Sequence, residues 1–378
     1  MGRKGTKKKY PKKKIDYPIF IITLTLVCIG VVMVFSASYY YANQKFGDSY
    51  YFFKRQGMWA IVGLCGMIFM ANFDYWKLKK FSKPLLLISI AMLVAVLLIG
   101  DEKNNATRWL SIGKLSVQPS EVAKLSLIVY MSESMSRRQK KLKSFWQGIV
   151  PYLLVTGVFF VLIIKQPNLS TAGTLVILTF IMMFVAGCSM KHLWGLVGLG
   201  ALGAAALILR PGDKEGGRYW YKRYIAFKDP WVDPNGKGYQ IIQSLYSLGS
   251  GGWFGMGLGE SRQKYLYLPY SETDFIFAVI GEELGFIGAT IIMLLFLILI
   301  WRGIRVAISA PDLFGSLLAT GIISMIAIQV SINIAVVTKS MPPTGVPLPF
   351  ISYGGSSLFL FMSSIGVLLN ISKYIKAN

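Results

Sequence analysis

The stretch YLPYSETDFIFAVIGEELGFIG, Tyr267–Gly288, opens an apolar run long enough to cross a bilayer, yet it carries Glu272 and Asp274 at its mouth and Glu282 and Glu283 further in. A charged side chain at bilayer depth costs about 2.5 kcal/mol or more, so four acids in one span need partners or a chemical task. A helix running inward from Asp274, capped by Ser271 or Thr273, places Asp274 at the outer boundary near the positive end of the helix dipole. Glu282 then lies about 12 Å deeper and about 80° around the axis, while Glu283 points roughly opposite Asp274. Asp274 is expected to be accessible and the two glutamates buried, one of them paired with a basic group such as Lys124 or Arg108. The small residues of the following LGFIG permit close helix approach.

Over the whole chain, 54% of the 378 residues are hydrophobic and only 15% are charged, against about 25% charged in a soluble domain. The chain therefore reads as an all-α polytopic membrane protein. Apolar runs of about 20 residues mark spans, and about ten begin near Ile19, Met58, Pro84, Val122, Gly148, Thr171, Leu193, Phe275, Leu313 and Ser357. The first is too long in its apolar core, and lacks a small-residue site after it, to be a cleavable signal. The expected organisation is a basic tail over residues 1–16 and a single transmembrane domain over 17–378.

Eight basic residues in the tail MGRKGTKKKYPKKKID, four in DYWKLKKFSK and five in SRRQKKLKSF place both termini in the cytoplasm by the positive-inside rule. One large extracellular loop, about residues 210–273, breaks the pattern of short connections. The net charge of +23 sits in scattered juxtamembrane runs suited to the anionic inner leaflet, so no nucleic-acid partner is expected. Cys28, Cys65 and Cys188 lie in or beside spans, and no disulfide framework is expected. The only histidine, His192, falls in a cytoplasmic turn, which excludes a histidine base on the outer face. No phosphate-binding glycine motif has the required spacing; GSGGWFGMGLG misses it.

Unexplained polar groups gather on the outer side. In DEKNNATRWLSIGKLSVQPSEVAKL, Pro119 suits a first helical turn, Glu121 follows where the dipole favours an anion, and Lys124 shares its face. Either an internal ion pair at a helix start or an embedded pair near a cavity fits these two. In the long loop, Arg218, Lys222 and Arg223 interleave with Tyr219, Trp220, Tyr221 and Tyr224. Interfacial anchoring accounts for the rings better than for the cations. Asp229 and Asp233 bound a Pro-containing turn, with a divalent cation as the alternative. The four prolines of KSMPPTGVPLPFISYGGSS, Lys339–Ser357, exclude a lipid-facing helix, so this segment reads as the wall of an outward-facing cavity.

One accessible carboxylate, outer cations and a cavity open to lipid suit a sugar leaving as a pyrophosphate ester. Cations stabilise the departing charge, and one base takes the acceptor's proton. A glycosyltransferase acting on a lipid-linked sugar pyrophosphate fits, as does a transporter with an acidic intramembrane site.

The motifs VMVFSAS, RWLSIGKLSVQPSEVAKL, QPNLSTAG, KDPWVDPNGKGYQIIQSL, GGWFGMGLGESRQKYLYLP, TDFIFAVIGEELGFIG and PPTGVPLPFISYGGSS resemble the SEDS family (shape, elongation, division and sporulation proteins), in family order and over nearly the whole chain. SRQKYLYLP and VMVFSAS resemble its division and sporulation branch, FtsW and SpoVE, more than RodA. The resemblance implies ten spans and a peptidoglycan glycosyltransferase that polymerises lipid II at the outer face of the bacterial cell membrane. It also implies a class B penicillin-binding protein and other division or sporulation proteins as partners. It puts the essential aspartate on Asp274, the membrane Glu and Lys on Glu121 and Lys124, the RW arginine on Arg108, and the QK pair on Gln263 and Lys264. Arg218, Lys222 or Arg223, together with Lys264, is then expected to contact pyrophosphate. No protein metal ligands are assigned; a divalent cation (Mg2+ or Mn2+) on the pyrophosphate is the one cofactor left open. Two departures stand out: Asn168 and Ser170 where the family often reads QPDLGT, and Glu272 where many members have His or Gln. A lipid II flippase and a non-catalytic scaffold for the transpeptidase are the alternative functions.

Overall fold

The computed structural model describes residues 14–103, 106–112, 115–209, 227–236 and 238–375. Most of the basic tail lies outside them. The chain is a helical bundle, in order α1 (Tyr17–Phe46), α2 (Tyr51–Asn72), α3 (Leu78–Ile99), α4 (Pro119–Arg137), α5 (Val150–Ile164), α6 (Leu169–Val185), α7 (Met190–Leu209), α8 (Tyr239–Ser250), α9 (Ile276–Ile308), α10 (Leu313–Val337) and α11 (Gly355–Ser372). Each expected apolar run falls on one of these helices or at its first residues. Among the described residues, six helical stretches are long and apolar enough to cross a membrane, and the protein is a multi-pass membrane protein.

Helix starts depart from the apolar boundaries for a physical reason. α2 begins at Tyr51 rather than near Met58 because Lys54 and Arg55 stay exposed on its first turns, and the Arg55 guanidinium lies 4.5 Å from the Tyr51 ring centre. Long cationic side chains extend a membrane helix into the interface in this way. α1 starts where the Asp16 carboxylate accepts from Ile19 N and ends at Gly47, whose φ of 67° lets its N–H return to Asn43 O.

Two elements form in the connections between the apolar spans, and the first departs from an all-α reading. The connection between α3 and α4 folds into three short antiparallel strands, β1 (Asp101–Lys103), β2 (Ala106–Ile112) and β3 (Leu115–Val117), with Leu110 opposite Val117. The long loop contains α8, whose Ser244 hydroxyl donates to Val337 O at 2.9 Å. Neither element has a full apolar span to announce it.

α1 and α9 form an antiparallel pair pinned at both ends. Arg302 meets Asp16 at 2.8 Å, and Ser36 Oγ donates to the Glu283 carboxylate at 2.7 Å. Twenty residues along α1 match nineteen along α9, about 30 Å of helix, so the two contacts fix one register. α2 packs tightly on α11, where a Cβ at Gly366 would collide with Met67 O. At the Asp16 end, Asn370 Nδ2 donates to Ala71 O at 2.8 Å and the Tyr75 hydroxyl donates to Asp312 at 2.6 Å. The polar chemistry collects at the opposite end.

Candidate active site

α9 is broken at Gly285, whose φ of 67° and ψ of −170° no helix accommodates. The break frees backbone groups that a bilayer would leave unsatisfied, and the segment Gly251–Gly257 takes them up. Met256 N and Gly257 N donate to the Glu282 and Glu283 carbonyls at 2.9 and 3.1 Å, while Phe286 N and Ile287 N donate to Gly252 O and Trp253 O at 2.9 and 3.1 Å. A side chain at Gly285 would strike the Gly255 backbone, so the approach requires glycine.

The two glutamates hold the same loop by their side chains. Glu282 accepts from Ser247 Oγ at 2.9 Å, Ser261 Oγ at 2.6 Å and Arg262 N at 2.8 Å. Glu283 accepts from Ser36 and forms an ion pair with Lys264 at 3.0 Å. The expectation that Lys124 or Arg108 would pair with a glutamate of this span is therefore corrected: the partner is Lys264. The same pairing corrects the expected role of Lys264 on pyrophosphate. Its side chain is fully enclosed, its ammonium also donates to Gly259 O, and it stacks 4.9 Å from the Tyr39 ring centre.

Asp274 sits beyond the other side of this clamp, outside the helix. α9 starts at Ile276 without a side-chain cap. Ser271 Oγ donates to Ala37 O and Thr273 Oγ1 to Tyr270 O instead, so the expected caps do not form. The backbone is held by its neighbours: Tyr353 N on Glu272 O at 2.9 Å, Ser352 Oγ on Thr273 O at 2.7 Å, and Asn333 Nδ2 on Asp274 O at 2.8 Å. Asp274 Oδ2 lies 3.2 Å from where a Cβ on Gly345 would stand.

Asp274 is half-buried, and no described group donates a hydrogen bond to its carboxylate. Burial pushes its pKa up to about 7, the negative charge of Glu272 adds to the rise, and the Arg108 guanidinium opposes it. Glu272 is itself raised by burial, with Ser271 and Lys45 acting against that. A carboxyl poised near neutrality and free of donors is suited to taking up a proton.

Arg108, on β2, donates to the carbonyls of Gln166 and Pro167, which docks the hairpin on the turn before α6. Asn168, the departure in QPNLS, caps α6 by accepting from Thr171 N at 3.3 Å, a task that needs no charge. Glu121 and Lys124 pair at 2.7 Å with both side chains buried. The Lys124 ammonium lies 5.7 Å from the Phe361 ring centre of α11. Gln263 is half-buried beside the Glu283–Lys264 clamp, its Oε1 enclosed without a partner among the described residues. Asp229 accepts from Trp231 N at 3.0 Å, as the Pro-bounded turn requires. Arg218, Lys222 and Arg223 lie outside the described residues. No three His, Cys, Asp or Glu residues gather among the described residues in a way that could hold a metal ion.

Asn333, Ser352 and Ser36 hold the site although none of them is a charged or catalytic residue type. Asn333 carried a signal, an amide within the apolar run SINIAVV, because a polar side chain inside a span is costly unless it is bonded. Ser36 and Ser352 lie in the motifs VMVFSAS and PPTGVPLPFISYGGSS, but a neutral hydroxyl gives no sign of its partner.

A family model described as cell cycle protein, covering FtsW, RodA and SpoVE, matches residues 17–377. The chain is 49% identical to stage V sporulation protein E of Bacillus subtilis (strain 168), covering 98% of this chain and 99% of that protein. It is 44% identical to the probable peptidoglycan glycosyltransferase FtsW of Geobacter sp. (strain M18), covering 94% and 96%. Among solved structures it is similar to a chain of a peptidoglycan synthase complex that coordinates polymerization and crosslinking, with a TM-score of 0.78, 30% identity and coverage of 95% and 97%. It is also similar to the rod shape determining protein RodA of Thermus thermophilus, with a TM-score of 0.70, 27% identity and coverage of 96% and 98%.

Proposed function

The chain belongs to the FtsW, RodA and SpoVE family of cell cycle proteins, and from that premise we propose how it works as a peptidoglycan glycosyltransferase of septal or sporulation cell-wall synthesis. Its substrate is lipid II, bound at the outer face of the membrane in the cavity walled by residues 339–354. Asp274 takes the proton from the 4-hydroxyl of the acceptor's N-acetylglucosamine. The oxygen attacks the anomeric carbon of the lipid-linked donor from the face opposite the leaving group. One C–O bond forms, the bond to phosphate breaks, the configuration inverts, and undecaprenyl pyrophosphate departs with the electron pair.

The observation that carries this reading is the state of Asp274: half-buried, held by its backbone, without donors on its carboxylate, and raised to about 7. The positive charge of Arg108 acts on that carboxylate by favouring its ionised form. The Glu121–Lys124 pair, buried in the first turns of α4, is assigned to the donor side of the cavity. Arg218, Lys222 and Arg223 are assigned to the pyrophosphate, where charge-assisted contacts are about twice as strong as neutral ones. A divalent ion on that group would add charge stabilisation, and no step here is routed through it.

The partner assigned is a class B penicillin-binding protein, a transpeptidase that crosslinks the glycan as it emerges; the similarity to a chain of a peptidoglycan synthase complex supports it. The test is polymerisation of purified lipid II with that partner present. Asp274→Asn keeps the size of the side chain and removes the base, so it should abolish polymerisation while lipid II binding persists. Near wild-type turnover in that variant overturns the assignment.

A further inference from the structure

Three consecutive carbonyls, of Glu272, Thr273 and Asp274, are each held by a donor from the segment that walls the cavity or from the helix before it. The donor on Asp274 O differs from the other two, because it is a side chain of α10. The same nitrogen, Asn333 Nδ2, also donates to Val346 O at 2.8 Å. One amide thereby uses both hydrogens to tie the backbone of Asp274 to the wall that carries Gly345, beside which the Asp274 carboxylate lies. Asn333 is 1% exposed and flanked by Ile332 and Ile334. An aliphatic side chain would fill that space without the cost of burying an amide.

We propose that Asn333 is a positioning residue for the transfer step, fixing Asp274 against residues 345–346 so that its carboxylate points at the acceptor hydroxyl. This rests on Asp274 being the base. The amide is enclosed and touches two carbonyls of the protein, so its loss acts on turnover and leaves substrate binding intact. A misplacement of 1 Å costs about 100-fold in rate. A carboxylate released from the wall also meets more water, which lowers its pKa. The charged groups acting on it, Glu272 beside it and Arg108 on the hairpin, then do so over altered distances.

The experiment measures lipid II polymerisation by the full chain with its transpeptidase partner, over a pH series through neutrality. It compares wild type with Asn333→Leu, Ser352→Ala and Asp274→Asn. Asn333→Leu should lower kcat by about tenfold or more, leave KM within about twofold, and move the acidic limb of the pH profile to lower pH. Ser352→Ala, which removes the bond on the neighbouring carbonyl, should move both quantities the same way by less. Should Asn333→Leu fail to accumulate, Asn333→Ser, with one donor left, gives the same reading. Wild-type kcat with an unmoved acidic limb in an Asn333 variant overturns the proposal, as does a defect confined to the amount of protein. Normal turnover by Asp274→Asn removes the base assignment and this inference together. An inactive Asp274→Asn beside a fully active Asn333→Leu removes this inference alone.

Discussion

The Lys264 ammonium lies 3.0 Å from Glu283 Oε1 with both side chains fully enclosed, which joins the loop between α8 and α9 to the broken helix. Removing one member leaves an unpaired buried charge, at a cost of about 3–5 kcal/mol. Lys264→Gln or Glu283→Gln should therefore lower the thermal unfolding midpoint in detergent markedly. Replacing both by apolar residues, Lys264→Met with Glu283→Leu, should recover much of it, because a buried pair is often no better than an apolar contact. An unfolding midpoint equal to wild type in both single variants would show that the pair carries no stability.

The pH dependence of polymerisation follows from Asp274. As the base it must be ionised, so activity should rise with pH and reach half its plateau at about 7. Glu272 disfavours that ionisation through its negative charge. Glu272→Gln should shift the acidic limb to lower pH, and an upward shift would contradict the electrostatic account. For stability the sign is opposite. An acid raised in the folded state holds its proton there after the unfolded chain has lost it, so its contribution falls as pH rises from the usual carboxylate range to about 7.

The Glu121–Lys124 pair separates cavity chemistry from folding. Swapping the two, Glu121→Lys with Lys124→Glu, keeps a buried pair but reverses it against the helix dipole and any bound substrate. The swapped protein should accumulate in the membrane nearly as wild type and fail to polymerise lipid II. Full activity in the swap would make the pair structural.

For the loop cations, replacing Arg218, Lys222 or Arg223 with Gln should depress polymerisation about tenfold or more for any residue that binds pyrophosphate. A residue that only anchors the loop among headgroups should tolerate the change. Uniform tolerance at all three would remove the pyrophosphate assignment. Treatment with EDTA followed by Mg2+ or Mn2+ measures whether a divalent ion contributes.

The helical membrane class, the places where apolar runs become helices, and the side chains around which chemistry gathers were all legible in the residues alone. Hydrophobic length and charge are local quantities, and a bilayer enforces them segment by segment. The Glu121–Lys124 pair was legible for the same reason, being three residues apart on one helix. Pairing across the chain was not. Glu282 and Glu283 take partners from α1, α8 and the loop after it, and Lys264 of that loop is buried against Glu283 to complete the set. The break at Gly285 was hidden because its glycine also reads as a helix-packing residue. The placement of Asp274 was decided by Asn333, 59 residues from Asp274, and Ser352, 79 residues from the Thr273 whose carbonyl it holds, since a backbone without helical bonds of its own takes the position its distant donors impose.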